Sequence, residues 1–317
     1  MSKMKKISLV VPCYNEEESI PLFFQTVSKV IDAMNLPTPT IVPEYIFVDD
    51  GSSDNTLAEM KALHEAHPKT VHYRSFSRNF GKESALAAGL QATTGDYVAV
   101  MDVDLQDPPE LLPKMVKLIE EDGYDCVGTI QKDRRGQSRI RAFLSSSFYR
   151  VINHLSDVRI EPNARDYRLM TRQFVNTVLD LPEFNRFSKG IFSWVGYKTT
   201  YLTYESQPRA AGTTHWNMRQ LFSYSIEGII DFSNAPLRLA TWVGSISFFL
   251  SLIGLIFVVV RALTNGGSSV AGWPSLVVII LLIGGIQLFC LGILGQYISK
   301  IYLETKHRPK YIVREEK

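Results

Sequence analysis

Over the first 130 residues, short apolar runs alternate with longer stretches in which apolar positions recur at helical spacing. Residues 7–11 (Ile-Ser-Leu-Val-Val) read as a buried strand, after which Pro12, Cys13, Tyr14, Asn15 and Glu16 turn into a helix reaching about residue 35. A second strand spans 45–48, and Asp49, Asp50, Gly51, Ser52, Ser53 and Asp54 lead from it into a helix ending near residue 67. A third spans 71–76, followed by Arg78, Asn79, Phe80, Gly81 and Lys82 and an Ala-rich helix over 83–92. A fourth at 97–101, a helix from about 109 to 121 and a strand at 125–130 complete the series. Repeated strand–helix units predict an α/β protein with a mainly parallel sheet, right-handed crossovers and flanking helices. Ligands of such sheets bind outside the carboxyl ends of the strands, where all of these polar loops fall.

The last third has a different pattern. Residues 239–260 and 275–298 contain no charge. Each run exceeds the ~20 residues that cross a hydrocarbon core as a helix, and each is apolar all round, which distinguishes it from an amphipathic core helix. Just before the first, residues 217–234 are amphipathic, suiting a helix that lies along a membrane surface or packs on the core. The expected organisation is a catalytic domain over 1–216, a juxtamembrane helix over 217–236, spans at 237–261 and 274–299 joined by an external loop at 262–273, and a tail over 300–317. Arg238 precedes the first span, and Lys300, Lys306, His307, Arg308, Lys310 and Arg314 follow the second. The positive-inside rule therefore puts both the N-terminal domain and the tail in the cytoplasm of a multi-pass cell-membrane protein.

Composition adds little to this. The 317 residues suffice for one large domain and an appendage, and a net charge of +2 makes no case for nucleic acid, so no nucleic-acid partner is expected. Lys3, Lys5 and Lys6 precede a strand and not an apolar leader, so no signal peptide is expected. Cys13, Cys126 and Cys290 have neither disulfide nor metal-ligand spacing, which fits a reducing compartment.

The chemistry concentrates in the loops. Asp102 and Asp104 leave the fourth strand two residues apart, so strand alternation points both carboxylates the same way. Hard oxygen ligands at the mouth of a sheet suit a divalent cation and a diphosphate. Tyr14 and Glu16 offer a ring and a carboxylate to a base and ribose, and a carboxylate at Asp49 or Asp50 can accept from a nucleobase imide or ribose hydroxyl. Gly51, Ser52, Ser53 and Asp54 equally suit a turn and helix cap.

These segments, with Val10 to Glu16, Val48 to Ser52, Ser77 to Lys82 and Met101 to Pro109 in that order, resemble the motifs of family 2 glycosyltransferases. More narrowly they are similar to the polyprenyl-phosphate branch, the bactoprenol glucosyltransferases and dolichyl-phosphate mannose synthases. The likeness runs through the catalytic domain into both spans, and it does not single out one sugar. It implies a GT-A type fold, a nucleotide-diphosphate sugar donor, Mg²⁺ or Mn²⁺, and inversion at the anomeric carbon. Carried onto this chain, Pro12, Tyr14, Glu16, Val48 and Asp50 would line the nucleoside pocket, Asp102 would meet the ribose and metal, and Asp104 and Gln106 the metal and diphosphate. Arg209 lies in a segment, 209–216, that resembles the loop closing over the diphosphate; where many relatives have Ser-Lys, this chain has Thr214 and His215.

The acceptor segment is expected next. Residues 132–141 hold five cations, followed by an apolar, hydroxyl-rich stretch over 143–149. A lipid phosphate needs cations beside an apolar surface, though a solvated loop has similar composition. The resemblance assigns Arg134 or Arg135, with Arg141 and Ser145, to the lipid phosphate; Arg139 could replace Arg141. Asp166 matches the carboxylate usually proposed as catalytic base. A phosphomonoester has its second pKa near 6 and is already largely ionised at neutral pH, so an orienting role is the physical expectation, and an ion pair with Arg165 or Arg168 the structural alternative. Residues 185–190, with Arg186 and Lys189, suit a loop over the donor sugar.

The expected activity is transfer of a hexose, from UDP-glucose or UDP-N-acetylglucosamine, to undecaprenyl phosphate. The lipid-linked sugar would then pass to a separate flippase and an external glycosyltransferase for cell-wall or O-antigen modification, and the enzyme could act as a homo-oligomer. A processive polysaccharide synthase shares the first four motifs but expects a Gln-x-x-Arg-Trp motif and more spans, which this chain lacks. A non-catalytic scaffold or flippase partner would not need the Asp102, Asp104 and Gln106 set.

Overall fold

The computed structural model describes residues 4–34, 40–132, 153, 161–181, 183–205, 233, 235–264 and 272–317. Their elements, in chain order, are β1 (Met4–Cys13), α1 (Ser19–Asp32), β2 (Thr40–Asp49), α2 (Thr56–Ala66), β3 (Val71–Phe76), α3 (Lys82–Ala92), β4 (Tyr97–Val100), α4 (Leu112–Asp122), β5 (Cys126–Gln131), β6 (Ala164–Thr171), α5 (Arg172–Leu179), α6 (Ser188–Trp194), β7 (Thr199–Tyr204), α7 (Ala235–Thr264), α8 (Trp273–Thr305) and β8 (Val313–Glu316).

The eight strands form one sheet in the order β7-β5-β6-β4-β1-β2-β3-β8. Strands β1 to β4 are mutually parallel, β6 runs against both β4 and β5, and β8 runs against β3. The sheet is thus mainly parallel, as the strand–helix alternation predicts, with two reversed strands that the alternation does not reveal.

Both faces of the sheet are covered, which is why its strands read as nearly unbroken apolar runs. Ile7, Leu9 and Val11 of β1 point to one face and pack with Phe23 and Val27 of α1, Met60 of α2 and Met115 and Val116 of α4. Val10 points to the other and meets Leu86 and Leu90 of α3, Phe174 of α5 and Ile191 of α6. Helix α3 is Ala-rich because it lies close on the sheet. A Cβ added at Gly89 would fall 2.3 Å from Cγ1 of Val10.

Glu44 is buried at the amino end of this core, and its carboxylate accepts from the Lys6 ammonium (2.7 Å), the Thr94 hydroxyl (2.7 Å) and N–H (3.0 Å), and the Ser8 hydroxyl. Burial pushes its pKa up, but these donors outweigh burial and bring it down to about 2.

The chain beyond the second apolar run returns to the sheet. α8 continues to Thr305, and β8 then adds an edge strand to β3, pairing Arg74 with Glu316 and Phe76 with Val313. Tyr73 and Lys317 exchange backbone hydrogen bonds of 3.1 Å, Lys61 pairs with Glu315 at 2.8 Å, and Tyr311 stacks on Phe76 at 4.9 Å between ring centroids. Helices α7 and α8 expose Trp242, Phe248, Phe249, Ile253, Leu288 and Leu291, an extended apolar surface of the kind that marks a membrane or partner contact. Two windows, Ala235–Gly254 and Leu282–Thr305, are long and apolar enough to cross a membrane. Among the described residues, Tyr297 donates to the Ser233 carbonyl at 2.6 Å, joining the two helices near one end.

Two outcomes follow from this packing. Glu44 has a folded pKa below its ordinary value of 4.5, so its contribution is complete above that pH and disappears as pH falls towards about 2. Glu44→Gln should therefore cost on the order of 3 kcal/mol at pH 7 and flatten the acid limb of the unfolding curve below pH 4.5; a parallel acid limb in wild type and variant would refute it. Deleting residues 310–317 leaves the outer edge of β3 bare and should destabilise the protein by roughly 2–4 kcal/mol, from one aromatic pair and a few net hydrogen bonds. Thermal unfolding in detergent measures this, and an unchanged midpoint would mean that β8 adds nothing.

Candidate functional site

The loops after β1, β2, β3 and β4 meet at the carboxyl edge of the sheet. The first two are laced together: the Asn15 N–H donates to the Ser52 hydroxyl (3.0 Å), the Ser53 N–H to the Asn15 side chain (2.9 Å), and the Glu16 N–H to the Thr56 hydroxyl (2.7 Å). Asn15 takes a left-handed φ of 55° to make this turn. Asp54 accepts from the N–H of Thr56 (3.1 Å), the first residue of α2, and Ser52 donates its N–H to Asp49 (2.9 Å), which closes the turn after β2. Gly51 combines a φ of 70° with backbone contact, and a Cβ there would lie 2.4 Å from the carbonyl carbon of Arg78. The loop after β2 is thereby seated directly on the loop after β3.

Asp50 makes that seating specific. Its carboxylate is buried and accepts from the N–H of Phe80 (2.7 Å) and Gly81 (2.9 Å). Burial is the main influence on its pKa and raises it, partly offset by these two donors. Val48 is buried among Ile46, Phe76, Ala85 and Ala88, so its side chain belongs to the core beneath the loops. Pro12 is half-buried at the end of β1, Tyr14 is 43% exposed, and Glu16 accepts from the Ser19 hydroxyl at 2.6 Å.

Strand β4 stops at Val100, where its pairing with β1 and β6 ends. Met101 and Val103 still point into the core, which leaves Asp102 on the opposite side of the chain. Leu105 then adopts a left-handed φ of 54°, and the N–H of Gln106 donates to Asp104 at 3.2 Å. The two carboxylates are therefore presented by a kinked loop, one step beyond the regular strand that alternation predicts. Asp104 is buried. Arg165 braces the loop from β6. Its Nε donates to buried Asp107 at 3.1 Å, its Nη2 approaches the Gln106 amide oxygen at 3.4 Å, and Tyr204 of β7 also donates to Asp107. Burial raises the Asp107 carboxyl above its ordinary range despite the Arg165 charge.

Asp166 lies on β6 beside this loop, and its partner is a residue with no assigned role in the sequence. The ammonium of Lys82, the first residue of α3, lies 2.7 Å from Asp102 and 2.6 Å from Asp166. All three side chains keep access to solvent, 41% for Lys82 and 22% for each carboxylate. Partial burial works against ionisation of Asp166, but the Lys82 ammonium and then Lys189 outweigh it and hold the carboxyl well below the usual carboxylate range. Burial likewise lowers the Lys82 pKa, and the two carboxylates more than restore it, so the ammonium stays charged. Neither neighbouring arginine pairs with the Asp166 carboxylate: Arg165 is engaged with Asp107, while Arg168 donates to the backbone carbonyls of Asp166 (3.3 Å) and Arg165 (3.1 Å) and lies 4.0 Å from the Phe192 ring centroid.

The segment before α6 also reaches this site. Glu83 accepts from the N–H of Ser188 at 3.1 Å and from its hydroxyl, which holds the start of α6 against α3. Arg186 turns away and donates to the carbonyls of Leu181 (3.0 Å) and Val178 (3.2 Å). Glu304, near the end of α8, accepts from the N–H of Phe184 at 2.7 Å, so α8 touches the loop bordering the site. Arg134, Arg135, Arg141, Ser145, Arg209 and His215 lie outside the described residues.

A mainly parallel α/β sheet thus carries its acidic loops at the carboxyl edge, where ligands of such sheets bind. Residues 8–179 match the model of "Glycosyl transferase family 2". The chain is 43% identical over 316 residues to a bactoprenol glucosyl transferase of Shigella phage SfX, covering 98% of this chain and 100% of that protein. It is 42% identical over 312 residues to a prophage bactoprenol glucosyl transferase homolog of Escherichia coli K12, covering 98% and 99%. Among solved structures it is similar to a mannosyltransferase of Pyrobaculum calidifontis in complex with GDP-Man and Mn²⁺, at 14% identity and a TM-score of 0.44, covering 97% of this chain and 77% of that one. The chain belongs to glycosyl transferase family 2 and is a glycosyltransferase.

Asp166→Asn keeps the shape of the side chain and removes its charge. Sugar transfer should slow by roughly a hundredfold, and raising the pH should not restore it, because the wild-type carboxylate is already ionised far below neutrality. Rate–pH profiles of the two enzymes decide this, and rescue of the variant at alkaline pH would overturn it.

Proposed function

We propose that this enzyme transfers a hexose, glucose by the names of its relatives, from a nucleotide-diphosphate sugar to undecaprenyl phosphate at a membrane face, with inversion at the anomeric carbon. The observation that carries the reading is the nearly full-length match to proteins named for bactoprenol glucosyl transfer, which takes in the acidic loops and both apolar helices. UDP-glucose is the donor we favour.

The site suits this chemistry. The carboxylates of Asp102 and Asp104 and the amide of Gln106 are hard oxygen donors, a set that fits Mg²⁺ or Mn²⁺ with the remaining positions left to water and substrate phosphates. Among the described residues, no three His, Cys, Asp or Glu side chains converge into a cage of their own, so a cation here would be shared with the diphosphate. When bound, such an ion offsets the negative charge that develops on a leaving nucleoside diphosphate.

In the reaction, an acceptor phosphate oxygen forms a bond to the anomeric carbon as the bond to the diphosphate breaks, its electron pair leaving with the nucleoside diphosphate. No proton has to move, since the phosphomonoester is already largely ionised. Asp166 then serves to orient, through Lys82 and the sugar hydroxyls. Arg134, Arg135, Arg141 and Ser145 are proposed for the acceptor phosphate and Arg209 for the diphosphate. The α7–α8 hairpin would hold the domain at the bilayer, and pairing of β8 with β3 keeps the tail and the sheet on one side of it. The basic residues flanking the hairpin support a cytoplasmic position for that side. A lipid-linked product formed there needs a separate flippase before any external transferase can use it.

Full-length enzyme in nanodiscs with undecaprenyl phosphate, offered UDP-glucose, UDP-N-acetylglucosamine, UDP-galactose and GDP-mannose in turn, tests the reading. Lipid-linked glucose should form from UDP-glucose, and both chelation and Asp104→Ala should reduce it by roughly a hundredfold or more with the thermal midpoint little changed. Transfer that survives both would remove the metal assignment; failure of every donor with the polyprenyl acceptor would remove the acceptor.

A further inference from the structure

One cation stands between the part of the site assigned to the donor and the part assigned to the acceptor. Lys82 reaches Asp102 at 2.7 Å and Asp166 at 2.6 Å from the first turn of α3. Its backbone position is set by Asp50, which accepts from the N–H of Phe80 and Gly81 immediately before it. The φ of Gly81 is 95°, so the chain turns sharply there to start the helix. From the other side, Glu83 ties α3 to Ser188 of α6. The ammonium is thus delivered to its place by three separate elements.

An electrostatic conflict explains what such a cation is for. Asp102 must be anionic to take part in holding a divalent ion, and Asp166 is anionic beside the path of an incoming phosphate. A polyprenyl phosphate carries up to two negative charges, and like charges about 4 Å apart repel strongly at the effective dielectric of a protein surface. Conversely, a divalent ion and the Lys82 ammonium repel each other while they share Asp102.

We propose that Lys82 is a positioning residue that exchanges partners during the reaction. This rests on the transfer to a polyprenyl phosphate proposed above. In the donor-free enzyme its ammonium bridges Asp102 and Asp166 and offsets one of their two negative charges. When a cation-bound nucleotide takes Asp102, Lys82 stays with Asp166 alone and turns a positive charge towards the acceptor. Donor loading thereby prepares the site for an anionic nucleophile, and no residue has to change its protonation state.

The test uses the full chain in detergent. Mn²⁺ binding in the presence of UDP is followed by electron paramagnetic resonance, and initial rates are measured with UDP-glucose and undecaprenyl phosphate. Lys82→Met removes the competing charge, so Mn²⁺ should bind about three- to tenfold tighter, while the KM for the acceptor rises about tenfold or more and kcat falls. Lys82→Arg keeps the charge and should restore the acceptor KM to within a few-fold of wild type. A purely structural lysine would leave Mn²⁺ affinity unchanged or weaken it through loosened loops. Either of those results, or an acceptor KM within about twofold of wild type in Lys82→Met, overturns the proposal. Should Lys82→Met fold poorly, Lys82→Met combined with Asp166→Asn removes the unbalanced charge, and tighter Mn²⁺ binding is again expected. If wild type transfers nothing to undecaprenyl phosphate, the proposed function fails, whereas the Mn²⁺ measurements still judge the competition at Asp102.

Discussion

Like charge crowded at one edge of the sheet is the constraint on which this site depends. Asp49, Asp50, Asp102, Asp104 and Asp107 lie at or beyond the carboxyl ends of β2 and β4, and Asp166 joins them from the amino end of the reversed strand β6; no two of them can face each other uncompensated in a partly buried setting. The structure answers residue by residue. Asp49 accepts from the Ser52 N–H and the Ser75 hydroxyl, Asp50 from two backbone N–H groups, and Asp107 from Arg165 and Tyr204. Asp102 and Asp166 share Lys82. The carboxylates with backbone and arginine partners are buried and committed to holding loops. The two that share the Lys82 ammonium keep access to solvent.

The same division explains how the fold supports chemistry. Strands covered on both faces make a rigid platform, and the loops at its edge are joined to one another more than to the sheet. Gly51 on the Arg78 backbone, Asp50 on Phe80 and Gly81, and Glu83 on Ser188 form a continuous chain of contacts from β2 through α3 to α6. Lys82 lies in the middle of it. The C-terminal part of the chain joins these contacts at two points, through Glu304 of α8 at Phe184 and through the Ser84 hydroxyl, which donates to the carbonyl of Lys310, beyond α8, at 3.3 Å. The sheet domain is therefore held to α8 and the segment after it beside the loop that borders the site.

Much of this was legible in the sequence because it is local. A strand buried on both faces announces itself as a short apolar run, an apolar helix as a long uncharged one, and a loop beyond a strand as a polar insertion. The order from β1 to β5, the two apolar helices and the acidic pair at Asp102 and Asp104 all follow from residues within one or two turns of each other.

What the tertiary structure alone decided depends on partners far apart in the chain. Lys82 follows a glycine in a loop that was visible as a motif, yet nothing within the loop says that its ammonium will reach Asp102 and also Asp166, 84 residues later. Arg165 and Tyr204 meet at Asp107 only because β6 runs antiparallel beside β4 and β7 joins beyond β5, an insertion that breaks the regular strand–helix rhythm. The tail reads as a charged extension, and it becomes an edge strand only where β3 offers unpaired backbone groups and Phe76 a face for Tyr311. Periodicity records which side of an element is buried; it carries no record of which distant charge a carboxylate will find, because that is set by sheet order.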